Sequence, residues 1–361
     1  MTVPATGPVT TPGTQSAATT PRIVTITLNA AIDKRLTVDA VVPHTVMRAH
    51  TAEYSPGGKG LNVARVAYHL LSPCLPLRQS ETEVRSPGFA GESVPSPVVA
   101  SGFLAGHAGR YIAERLEPGI GQAFVWVAGE SRSCVNLIDA AGVSTEFLEP
   151  GITVGEPDLL QLETVVAELS GRGTTVVFSG SLPDGCPADT YARLVTVAKR
   201  EGALTALDTS GEPLRLALAA QPDFIKPNAE EVTQLTGRTP TDPASAAQVA
   251  AGLRAETGIA AVALSLGALG AVLAGPDGLW HAAPPPVTAV NTVGCGDAFV
   301  AGFVTAWSGG PARLALVQAV EVATAAAMSP TTGSFRAADR DAVRRPGVRL
   351  AAMLGSTKEY G

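Results

Sequence analysis

From Asp158 onward the chain alternates helical stretches with short, largely apolar runs: TTVVFSG (Thr174–Gly180), LTALD (Leu204–Asp208), DFIKP (Asp223–Pro227) and AAVALS (Ala260–Ser265). A strand that is apolar along its length has to be covered on both faces. A helix between two such strands returns the chain so that they lie parallel. The pattern therefore predicts βαβ units and a doubly wound α/β body with a mostly parallel central sheet. The composition agrees, since 45% of the 361 residues are apolar but only 5% aromatic, as suits small aliphatic packing between sheet and helices.

The first half reads differently. IVTITLN (Ile23–Asn29) and VVASGFL (Val98–Leu104) are apolar runs like those above, and LNVARVAYHL (Leu61–Leu70) and GRYIAERL (Gly109–Leu116) have helical spacing. LTVDAVV (Leu36–Val42) and MRAHTAEY (Met47–Tyr54) alternate apolar and polar residues, as half-exposed strands do. FVWV, SCVNLID and STEFL, between Phe124 and Phe147, suit antiparallel strands with one wet face. These two segments, about 29–54 and 124–147, are expected to form a small sheet that closes over a ligand as a lid, serves as a dimer surface, or does both. Residues 1–21, a Thr/Pro/Ala/Gly tract, read as a disordered tail. Residues 71–97, rich in Pro, Ser and charge, read as a long surface loop within a single domain spanning 22–355.

Charge and cysteine content narrow the function. The formal charge is −6 with both signs dispersed, and no Lys/Arg block suggests a nucleic-acid or membrane partner. Cys74, Cys134, Cys186 and Cys295 are far apart, which argues for reduced thiols in a cytoplasmic protein rather than a disulfide frame or a zinc site. Ile259–Gly275 is apolar enough to resemble a membrane span, but Gly267 and Gly270 interrupt it, and two buried strands joined by a Gly turn describe it better.

Three motifs carry chemistry. In NTVGCGD (Asn291–Asp297) two glycines precede a helical stretch, so backbone N–H groups at a helix start can approach a phosphate, with Asp297 placed to take a proton from an attacking hydroxyl. An ordinary Gly turn with Asp in the first helical turn explains the same residues. In GGKGLN (Gly57–Asn62) the glycines let a ligand approach the backbone. Lys59 offers charge to a phosphate and Asn62 offers donors and acceptors to sugar hydroxyls; a tight strand-to-helix connection is the alternative. KPNAEE (Lys226–Glu231) lies at the carboxyl end of a predicted strand, where ligands of open α/β sheets gather. Asn228 and Glu231 there suit either a hydrated Mg2+ or a capping box. GGKG lacks the P-loop spacing and GCGDAF the third glycine of a dinucleotide fingerprint.

GGKGLNVA and NTVGCGDA, in this order and more than two hundred residues apart, resemble the two signatures of the PfkB (ribokinase-like) carbohydrate kinases. TLNAAID, GFLAGHAGRYI, ESRSCVN, FSGSLPDG, LDTSGEPL, KPNAEE and SLGALGA extend the resemblance over about 22–334, towards the branch acting on phosphorylated ketohexoses. The resemblance implies a Rossmann-like sandwich with a β-lid, often dimeric through the lids. It also implies ATP as phosphoryl donor with Mg2+. Asp297 matches the catalytic base, and Gly294, Cys295 and Gly296 match its anion hole. Asp33, Gly57, Gly58 and Asn62 match sugar contacts. Arg132 matches the arginine on the acceptor's phosphate, with Lys59 and Arg48 as helpers. Lys226, Asn228, Ser265, Gly267 and Gly270 match the ATP side, and Glu231 matches a water-mediated Mg2+ contact.

The acceptor so implied is fructose 1-phosphate, ahead of tagatose 6-phosphate or fructose 6-phosphate. A silent sugar-phosphate sensor is the reading from another class, and Asp297 with both glycines speaks against it. A ribose or nucleoside kinase is disfavoured by Arg132. Two departures stand out. Cys295 replaces a common alanine and, beside a helix N-terminus, is expected to have a lowered thiol pKa and to be open to oxidation. Asn291 replaces a frequent aspartate and is expected to lie outside the chemistry.

Overall fold

A computed structural model describes residues 22–72 and 96–353. The tail at 1–21 and most of the segment read as a surface loop lie outside the described residues. The chain opens with β1 (Arg22–Thr27), β2 (Ala31–Thr37), β3 (Thr51–Gly57) and α1 (Lys59–Leu71). It continues through β4 (Val98–Ala105), α2 (Gly106–Arg115), β5 (Gly121–Val127), β6 (Arg132–Ile138) and β7 (Ser144–Leu148). Then come α3 (Glu156–Leu169), β8 (Thr174–Ser179), α4 (Thr190–Arg200), β9 (Leu204–Asp208), α5 (Gly211–Ala217), β10 (Phe224–Ile225), α6 (Ala229–Thr236) and α7 (Pro243–Thr257). The last third holds β11 (Ala261–Ser265), β12 (Ala271–Gly275), β13 (Gly278–Ala283), α8 (Cys295–Ala306), α9 (Arg313–Met328), α10 (Ala337–Arg344) and β14 (Arg349–Ala352).

Ten strands form the main sheet, in the order β14-β13-β12-β11-β10-β9-β8-β1-β4-β5. From β5 to β11 neighbours pair parallel, and β12, β13 and β14 add an antiparallel edge. Successive residues of a strand bury into opposite cores. Ile23, Val177 and Phe224 join α1, α8 and α9 on one face. Val24, Val176 and Ile225 join α3, α4 and α7 on the other. This two-sided burial is what the apolar runs required. The Phe224 and Phe303 rings stack 3.9 Å apart and seat α8 on the sheet. A Cβ added to Gly302 would come 2.9 Å from the Ala319 Cα, so this glycine lets α8 and α9 pack backbone to backbone. The stretch 259–275 is the hairpin of β11 and β12 through a short 3-10 turn, and no helix among the described residues is long and apolar enough to cross a membrane.

The second sheet has four strands, β3-β2-β6-β7, with β2 and β6 parallel and the other pairs antiparallel. Two boundaries differ from the sequence reading. The first lid strand is Ala31–Thr37, not 36–42, and 38–50 form a connection. Phe124–Val127 belongs to β5, an edge strand of the main sheet paired with β4, so the second lid segment begins at Arg132. The alternation of FVWV marks an exposed edge, with Trp126 49% exposed, not membership of the lid.

Candidate active site

The lid and the carboxyl ends of β9, β10 and β11 enclose a cleft of about 940 Å3, where ligands of open α/β sheets bind. Its floor is built around α8. Gly294, the residue before the helix, has φ of 82°, and a Cβ there would come 2.9 Å from the Gly333 nitrogen, so only glycine fits this turn. The Gly294, Gly296 and Asp297 N–H groups meet no acceptor among the described residues. The Cys295 N–H donates to the Thr292 carbonyl at 3.3 Å. The N–H groups of Gly294, Gly296 and Asp297 are thus open to an anion, whereas that of Cys295, expected to share this role, is engaged within the turn. Burial, with the Asp297 charge adding to it, pushes the Cys295 thiol pKa up to about 11, the opposite direction from the lowering expected of a helix N-terminus.

Asp297 is 5% exposed, and its Oδ2 accepts a 2.8 Å hydrogen bond from Asn62 Nδ2. Burial, reinforced by the Asp208 carboxylate, raises its pKa to about 7, while Asn62, Lys59 and Lys226 pull it back. Such a carboxyl exchanges a proton near neutral pH, as a general base requires. Asn62 comes from the first turn of α1, which β3 feeds through Gly57 and Gly58. A Cβ on Gly57 would run into the Asp33 carboxylate, and Gly58 has φ of 111°. Gly57 therefore makes room for Asp33, and Gly58 turns the chain. Gly58, Lys59 and Asn62 line the cleft.

Asp208, which the motif reading passed over, lies beneath. It is 1% exposed, with Lys226 Nζ at 3.2 Å and Lys59 Nζ at 3.7 Å. Burial opposes its charge, but the two ammonium groups win and hold its pKa below the ordinary range. Neither oxygen receives an aligned hydrogen bond, so the contacts are charge to charge. Asp208 raises the pKa of Lys59, against the cost of burying that amine. Lys59 thus lies on the body side of the cleft with Asp208, in the same cleft as Arg132. Asp208 ends an apolar strand, the same position that drew attention to Lys226, and LDTSGEPL carried that signal.

Asn228 and Glu231 form a reciprocal capping box: Asn228 Oδ1 accepts from the Glu231 N–H at 2.8 Å, and Glu231 Oε2 from the Asn228 N–H at 2.9 Å. Both line the cleft, and Glu231 Oε1 stays available to a ligand. No group of three His, Cys, Asp or Glu among the described residues makes a complete metal cage. One carboxylate oxygen beside a phosphate site fits Mg2+ held mainly by phosphates and water. Ser265 lines the cleft, whereas Gly267 and Gly270 shape the turn after it. Gly270 lies with φ of 86° against the Ala282 carbonyl.

The lid supplies the opposite wall. Asp33 on β2 faces the cleft; burial raises its pKa to about 6, with Arg65 and Arg132 opposing. Arg132 starts β6 beside Ala31; its Nη1 donates to the Glu149 carbonyl at 3.1 Å, and its buried Nε has no partner among the described residues. Lys34, Arg35 and Glu146 also line this wall. Arg48 does not: it is exposed on the 38–50 connection. Asn291, expected to lie outside the chemistry, lines the cleft with Thr331 and Thr332 without touching Asp297.

The chain matches the pfkB family carbohydrate kinase model over residues 23–334 and belongs to that family. It is 36% identical to the 1-phosphofructokinase of Rhodobacter capsulatus, covering 84% of this chain and 88% of the relative. It is 34% identical to a tagatose-6-phosphate kinase of Staphylococcus epidermidis, covering 78% and 84%. The structure of phosphofructokinase-2 from Escherichia coli in complex with potassium superposes with a TM-score of 0.77 at 26% identity, covering 90% and 98%. The fold is that of these kinases, with its large mostly parallel sheet and smaller second sheet, and the chain is an ATP-dependent sugar kinase.

Proposed function

We propose that this kinase transfers the γ-phosphoryl group of MgATP to the free terminal hydroxyl of fructose 1-phosphate, giving fructose 1,6-bisphosphate and ADP. The observation that carries the reading is one cleft with a near-neutral buried carboxyl beside unfilled helix-start amides on one wall and an arginine with an unused donor on the other. In this reading Arg132 grips the acceptor's phosphate with its planar fork, and Asp33 orients sugar hydroxyls. The acceptor oxygen attacks the γ-phosphorus as its proton passes to Asp297, and the bond to the β–γ bridging oxygen breaks to release ADP. The amides of Gly294, Gly296 and Asp297 hold charge on the transferred group, and Lys59 and Lys226 add positive potential. Glu231 would hold Mg2+ through water, and the ion neutralises phosphate charge when bound. Lid closure keeps water from competing as acceptor.

Tagatose 6-phosphate is the second reading, favoured by the 34% identity to a kinase of that name. ADP release measured with MgATP against fructose 1-phosphate, tagatose 6-phosphate, fructose 6-phosphate and fructose separates the two. The highest kcat/KM is expected for fructose 1-phosphate. Preference for a 6-phosphate moves the acceptor and keeps the mechanism, and turnover of fructose alone overturns both. We also propose pairing of two lids in a homodimer, supported by Phe147, 58% exposed on β7 while its neighbour Leu148 faces the cleft; Phe147→Glu is expected to give a monomer by sedimentation.

A further inference from the structure

Arg35 crosses the cleft. It stands on lid strand β2, two residues beyond Asp33, and its Nη1 donates a 2.8 Å hydrogen bond to the carbonyl of Pro330, 295 residues away on the body. The same carbonyl lies 3.4 Å from Asn291 Nδ2, which also donates to Thr332 Oγ1 at 3.1 Å. Asn291 Oδ1 in turn accepts from the Val293 N–H at 3.0 Å, within the turn that presents Gly294. The strip after Pro330 packs directly beneath the site. Gly333 lies against the Gly294 backbone, and a Cβ on Gly333 would run into the Asn62 amide that holds Asp297. One backbone carbonyl thus receives the lid from one side and the phosphate-binding turn from the other.

We infer that Arg35 and Asn291 form a junction at the Pro330 carbonyl through which the position of the lid sets the geometry of the anion-binding turn. Arg35 is a positioning residue: it acts through Pro330 and Asn291, not on the reacting atoms. Its charge-assisted bond is the kind that repays closure, and its remaining contact, Glu53 at 3.6 Å, stays within the lid. The junction explains why an amide suits position 291: its Nδ2 donates to Pro330 and Thr332 while its Oδ1 accepts from Val293, whereas a carboxylate only accepts. Transfer to sugar is then coupled to closure, because an open lid leaves the turn unbraced.

The inference rests on the kinase reading, so its test has an arm independent of turnover. In the full-length protein, Arg35→Ala is expected to lower kcat for the phosphosugar about tenfold, the worth of one charged hydrogen bond. It should also raise ATP hydrolysis relative to transfer, and Arg35→Lys should recover part of both losses. Asn291→Ala should act in the same direction, and the double variant should lose less than the product of the single losses. Hydrogen exchange of the amides at 293–297 should quicken in Arg35→Ala without any substrate present. Multiplicative losses, or unchanged exchange at 293–297, overturn the junction, as does Arg35→Ala with wild-type kcat and an unchanged ratio of hydrolysis to transfer. If the wild type phosphorylates no sugar phosphate, the functional reading fails while the exchange result still decides the junction.

Discussion

The two walls of the cleft handle charge in opposite ways. On the body side Asp208, Lys226 and Asp297 are nearly inaccessible, and with Lys59 they make two carboxyls against two ammonium groups. Their geometry is set before any ligand arrives. On the lid side Asp33, Arg35 and Arg132 stand on half-exposed strands, and both arginines keep a buried Nε–H without a partner among the described residues. In the proposed reading, an anion and hydroxyls from outside complete that wall. Buried, neutralised charge suits tuning a proton transfer, whereas unsatisfied donors suit recognition. The body wall, with Arg35 bracing it from the lid, should therefore govern kcat, and Asp33 and Arg132 KM.

The hardest blow to this division is Asp297→Asn. It should reduce kcat by about 10^3-fold or more with little change in ATP binding, measured by ADP release and calorimetric titration; near-normal turnover would remove the base from the body wall. Next in size, Arg132→Ala should raise KM for the phosphosugar about 10- to 100-fold while kcat and the KM for ATP stay near wild type. A fall in kcat alone would erase the distinction between the walls. The acids sharpen it through pH. Only ionised Asp297 accepts a proton, so kcat/KM should fall as pH drops through about 7. A second fall near 6 should follow if Asp33 must be charged to hold the sugar.

The smallest expected effect is on stability. The folded pKa of Asp297 lies above its ordinary value, so folding binds a proton between about 4 and 7 and stability declines as pH rises through that window. Asp297→Asn should therefore raise Tm by about 2–4 °C at pH 8 and leave it unchanged below pH 4, where both states are protonated.

The body was legible because its strands are apolar on both faces. The lid was half legible. β2, AIDKRLT, carries Asp33, Lys34 and Arg35, all of which line the cleft, so it lacks the alternation that marks a one-sided strand, and the neighbouring LTVDAVV showed more of it. Within the site, glycine-bounded motifs located Asp297 and Asn62, and KPNAEE at a strand end located Lys226. Asp208 stood in plain view at a strand end but outside any glycine pattern. Arg35 was beyond reach, because its role depends on a carbonyl 295 residues away. For the Cys295 thiol, local helix position pointed to a lowered pKa, and the burial that only the packed structure supplies points the other way.

The hydrogen bond from Asn62 to Asp297 also has a meaning for how the enzyme is made. It spans 235 residues, and α8 packs against α1 across the same interval. A ribosome that has released everything up to β13 has produced the lid and seven parallel strands, yet the apolar side of α1 still lacks its cover. The nascent chain must wait through about three-fifths of its synthesis, from residue 71 to residue 295 of 361, with that surface open, which makes this stretch of translation the period when a chaperone has most to do.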